Sequence, residues 1–216
     1  MNNPGIYFRI WAAACLMIAS CNHKEQTITP NISNEVITTV QVQLTNQANK
    51  TDIQTATWEQ LVDANGKPQP VDVSKANLTL KSNATYTASI TVLDKSQNPV
   101  DDHTLEIEDR SNIHLFFLQP LPTASALVIP TASGELYPEP IPTPIPNGAP
   151  LNLTVSITDK DTNNPPLPLG LESIFTTGNA SIGWLRIVLR HQPSGKDGTF
   201  APGDTDLDVG YNVTIQ

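Results

Sequence analysis

With 216 residues and 21 acidic against 12 basic side chains, the chain carries a formal charge of −9. That balance argues against nucleic acid as a partner and against electrostatic attachment to anionic lipid. Cysteine occurs only at positions 15 and 21, the first inside an N-terminal leader, so a processed chain offers no disulfide scaffold, thiolate metal site or cysteine nucleophile.

One positive charge, Arg9, precedes the uncharged run from Ile10 to Ala19, and the run ends in Ile18-Ala19-Ser20-Cys21. This is the layout of a signal peptide over 1–20 closed by a bacterial lipobox, with cleavage before Cys21 and lipid on its thiol. The run is about half of the ~20 apolar residues that span a bilayer, and Pro, Asn or Asp breaks every later apolar run. One acyl chain holds a protein only marginally, whereas a diacylglyceryl group with an N-acyl group anchors it stably. The membrane is thus a partner through the anchor. Removal of Arg9 takes the mature charge to −10. The polar stretch 21–34 reads as a tether. Its start, Asn22-His23-Lys24-Glu25, has no acidic run, which favours the outer membrane facing the periplasm, with surface exposure left open.

Residues 35–216 read as all-β. Val36 to Leu44, Thr85 to Leu93 and Leu151 to Thr158 are rich in β-branched residues and alternate in polarity. Trp184 to His191 puts Leu185, Ile187, Leu189 and His191 on one face, and Leu207 to Ile215 alternates again. Asp63-Ala64-Asn65-Gly66, Asp94 to Pro99 and Asp159 to Pro166 carry turn chemistry between the runs. The acidic stretch Asp101 to Asn112 is either a short helix capped by Asp102 or a hairpin arm. Strands joined by short polar turns predict an antiparallel β-sandwich, immunoglobulin-like or similar.

Nine prolines fall within 119–150, and Tyr137 to Pro146 predicts extended polyproline-like chain. The segment is a linker between two small β domains or an insertion in one sandwich. Insertion is favoured, because neither half has enough strong strands to close its own core.

The segments Ala84 to Leu93, Ile113-His114-Leu115-Phe116-Phe117, Leu151 to Asp161, Phe175-Thr176-Thr177-Gly178, Leu189 to Pro193 and Gly203 to Val209 carry a likeness. Through them the chain resembles a family of short Bacteroidetes lipoproteins often labelled "type 1 periplasmic binding fold superfamily protein". The likeness covers roughly 36–118 and 151–216; family members pass almost directly between these parts, so 119–150 reads as an insertion. The label implies two doubly wound α/β lobes, which a chain this short in helices does not form. The resemblance implies an outer-membrane lipoprotein, with a TonB-dependent transporter as the associated partner.

For catalysis, the chain has no Gly-x-Ser-x-Gly elbow, HExxH, Walker loop or dinucleotide fingerprint, and no catalytic residue is assigned. Zinc or copper would require converging nitrogen and oxygen donors. His114 follows the carboxylates Glu106 and Glu108, and His191 ends a strand on its apolar face. The reading favoured over a metal site makes His114 a satisfied, partly buried histidine and His191 a strand-end residue bonded to a carbonyl. Asp159, Asp161 and Asn163 open like a calcium loop, but position six is Asn164 and position twelve Gly170, so this is no EF-hand. Asp204, Asp206 and Asp208 alternate and read as a solvent face. A carbohydrate platform would rest on an exposed Trp58 alone, since Trp184 begins the strongest strand and reads as core. The leading expectation is a non-catalytic, lipid-anchored accessory or binding protein; the alternative is zinc or copper capture through His114, His191 and nearby carboxylates.

Overall fold

A computed structural model describes residues 36–63, 65–122, 149–200 and 202–216; Cys21, the leader, the tether and residues 123–148 lie outside the described residues. The strands are β1 (Thr39–Asn46), β2 (Ile53–Glu59), β3 (Asn77–Leu80), β4 (Thr85–Asp94), β5 (Asp101–Asp102), β6 (His114–Pro122), β7 (Leu153–Ile157), β8 (Glu172–Thr177), β9 (Ser181–His191) and β10 (Asp204–Ile215), with one short helix, α1 (His103–Asp109). One sheet runs β2-β1-β4-β8-β7 with β5 on β4, and the other runs β3-β10-β9-β6. Every strand pairing within them is antiparallel except β3 with β10, which is parallel. Both sheets take strands from either side of the proline-rich stretch, so no boundary between two β domains falls there.

The alternation read in the sequence explains which face each strand buries. Val40, Val42 and Leu44 of β1 and Tyr86, Ala88, Ile90 and Val92 of β4 turn into the core. Leu185, Ile187 and Leu189 of β9 and Leu207, Val209, Tyr211, Val213 and Ile215 of β10 meet them from the other sheet. The buried Tyr211 hydroxyl crosses between sheets and donates to the Val40 carbonyl at 2.9 Å, satisfying a polar group that burial would otherwise penalise. Trp58 departs from expectation: it is 2% exposed and part of the core, so it offers no sugar platform.

The acidic stretch combines both readings. Asp101 and Asp102 pair with β4, and Asp102 then caps α1 by accepting the Thr104 amide at 3.0 Å. The helix α1 buries His103 and Ile107, while Leu105 points outward. Strand β6 runs on through Pro120 and Pro122, into the start of the stretch read as a proline-rich insertion. It is the last strand of its sheet, where a missing N–H leaves no ladder bond unmade.

Candidate metal centre

Three element ends meet at one end of the second sheet. The turn after α1 delivers β6, whose first residue is His114. His191 is the last residue of β9 and sits directly opposite His114 in the ladder. The first residue of β10, Asp204, also faces His191, but the register between β9 and β10 shifts between Thr205 and Leu207, leaving Asp206 outside the regular pairing. Ligand atoms of His114, His191 and Asp206 all lie within 4.8 Å of one another. Alternation alone brings the histidines together, because β6 and β9 are neighbours; the bulge brings in Asp206.

The imidazoles are stacked, with centroids 5.0 Å apart and an interplanar angle of 21°. His114 is fully buried and His191 is 4% exposed. The Nδ1 of His114 lies 3.0 Å from the Arg110 carbonyl oxygen. A carbonyl only accepts, so Nδ1 carries the proton and Nε2 keeps its lone pair. The Nε2 atoms of both histidines are buried without a hydrogen-bond partner among the described residues. Burial, the His191 ring and the Arg110 charge push the His114 pKa down to about 3. Burial foremost, then Arg110, lowers that of His191, with Asp204 opposing. Both rings are therefore neutral at physiological pH, the state that coordinates a metal.

The surroundings hold this geometry. The Gln192 amide donates to the Ile113 carbonyl at 2.7 Å, and its side chain donates to the carbonyls of Thr199 and Pro202. Arg190 donates to the Gly203 carbonyl at 2.6 Å and lies over the Phe200 ring, 4.5 Å from its centroid. Gly203 has φ +75°, and a Cβ there would overlap the His191 carbonyl. Only glycine lets β10 start so close to the end of β9. Lys196 donates to the Ser111 carbonyl at 3.0 Å and pairs with Asp161 at 2.9 Å, both side chains fully buried, tying the loop after β9 to the loop after β7 and to the end of α1.

Of the carboxylates expected near the histidines, neither joins them. Glu106 pairs with Arg110 at 3.1 Å within the helix turn, and Glu108 is exposed. The calcium candidates serve the β7–β8 connection. Asp159 accepts the amides of Gly170 and Leu171, each at 2.9 Å. Asp161 accepts the amides of Asn163 and Leu167 on one oxygen, and the Asn163 side chain and Lys196 on the other. These oxygens face protein donors, which is the arrangement of a loop clamp. The Asp204-Asp206-Asp208 row is not the solvent face its spacing suggests. Asp208 is 2% exposed and pairs with the equally buried Arg186 through both carboxylate oxygens, and Asp206 is half-buried. Sequence reasoning missed Asp206, since the aspartate row reads as a solvent face and the β9–β10 register shift beside it has no sequence signature of its own.

Among the described residues, no helix is long and apolar enough to cross a membrane. Compared with family models, curated proteins and solved structures, the chain has no match.

Proposed function

We propose that this is a non-catalytic, lipid-anchored protein of the bacterial cell envelope that captures a divalent transition-metal ion at His114, His191 and Asp206. The observation that carries the reading is the pair of buried, neutral imidazoles whose Nε2 atoms have no hydrogen-bond partner among the described residues. A buried polar atom left without a bond costs roughly 1–3 kcal/mol, and a bound cation removes that cost by taking the lone pair. The His114 Nδ1 bond to a backbone carbonyl supports the same reading, since metal-binding histidines are commonly oriented through their second nitrogen. The anchor is supported by Ile18-Ala19-Ser20-Cys21, and a transporter of the TonB-dependent kind is the recipient that the family resemblance implies.

The test is thermal unfolding of the detergent-solubilised full chain, stripped with chelator and then given zinc, copper or calcium singly. An ion at one hundred times its Kd adds about 2.7 kcal/mol, a rise of roughly 5–10 °C for a domain of this size. Zinc or copper is expected to raise Tm, with His114→Ala and His191→Ala each abolishing the rise. No shift with zinc or copper would remove the metal reading. The anchor is tested separately by intact mass, where Cys21→Ala is expected to lose the lipid.

A further inference from the structure

Building on the metal reading, we infer that the centre takes a zinc-like borderline ion on three protein donors and leaves the fourth position to an exogenous small anion or imidazole.

The donor set selects the ion. It offers two imidazole nitrogens and one carboxylate oxygen. Beyond Cys21 the sequence has no cysteine and no methionine, so a soft copper(I) ion finds neither thiolate nor thioether. Calcium needs six or more oxygens, and the three-donor group contains two nitrogens. Zinc and cobalt(II) suit mixed nitrogen and oxygen donors in tetrahedral geometry.

The strands fix the two histidines through regular pairing. His114 is held in the β6–β9 ladder and by the Arg110 carbonyl. His191 is held in ladders on both sides. Asp206 lies where the β9–β10 register shifts, and it is half-buried while both histidines are at most 4% exposed.

The open position follows from the count. The group contains three donors, with no fourth histidine or carboxylate in it among the described residues. With one carboxylate in the donor set, a divalent ion keeps a positive charge that favours a small anion at its open position. An ion held by three protein donors keeps a coordination position for an outside ligand. That property suits capture and transfer, whereas four closed protein ligands suit a permanent structural ion.

The experiment uses cobalt(II) on the detergent-solubilised full chain, with visible absorption as the readout of coordination. Wild type is expected to give four-coordinate cobalt bands that shift saturably when azide or imidazole is added. Asp206→Ala and Asp206→Asn are both expected to weaken cobalt and zinc at least tenfold, with circular dichroism showing that the metal-free variants fold; the asparagine variant keeps the side-chain shape should alanine unfold the bulge. Wild-type affinity in both variants, or bands that azide and imidazole leave unmoved, would overturn this inference while leaving metal binding intact. Absence of cobalt and zinc binding in wild type would instead overturn the reading beneath it.

Discussion

Lowering the pH of the metal-free protein should destabilise it before its carboxylates titrate, because His114 is buried and neutral. Its folded pKa lies near 3 against an ordinary 6.5, pushed down mainly by burial. Below 6.5 the unfolded chain therefore binds a proton that the folded chain refuses. Stability is complete above 6.5, falls as pH drops, and levels off once pH passes about 3. For these two values the loss is about 2 kcal/mol at pH 5 and about 3 kcal/mol at pH 4, from about 1.4 kcal/mol per pH unit per proton. His191, shifted in the same direction, adds to it. Against a typical total of roughly 5–15 kcal/mol, this is a large share. The assay is urea unfolding of chelator-treated protein between pH 7 and 5, a window above most carboxylate titration. His114→Leu keeps a side chain of similar size without a titrating group, and its stability should depend less steeply on pH by close to one proton. A wild-type midpoint that stays flat from pH 7 to 5, or a leucine variant with the wild-type slope, would refute the reasoning.

Lys196→Met should cost roughly 3 kcal/mol by leaving Asp161 buried without its cation, and Asp161→Leu in the same chain should recover part of that loss; both are read by urea midpoints. Gly203→Ala should cost about 1–3 kcal/mol in thermal unfolding, since φ +75° is strained for alanine and its Cβ would press on the His191 carbonyl, and it should weaken zinc as well by displacing that histidine. Asp102→Ala should cost about 1 kcal/mol by uncapping α1, without affecting zinc affinity.

The two halves of the candidate centre differ in how legible they are from sequence, for a physical reason. Period-two alternation reports which face of a strand a residue occupies, and it placed His191 with Leu185, Ile187 and Leu189 on the apolar face. It does not report which strand lies alongside, so the His114–His191 pairing waits on the sheet order that makes β6 and β9 neighbours. Sequence proximity then misdirects the search for a third donor. Glu106 and Glu108 are the nearest acids to His114 along the chain, but the helix directs Glu106 to Arg110, one turn away, and leaves Glu108 exposed. Asp206 is more than ninety residues from His114, and its own strand pattern argues against it. Alternation gives Asp204, Asp206 and Asp208 one common face, yet the register shift after Thr205 separates Asp206 from Asp208. Asp208 then spends its charge on buried Arg186, while Asp206 stands beside the imidazoles. A one-residue irregularity thus separates the aspartate that stands beside the imidazoles from the one that pairs with buried Arg186. Deleting one residue at this bulge would restore even pairing and carry the carboxylate away from the histidines; zinc binding should fall with it while the core facing the other sheet remains.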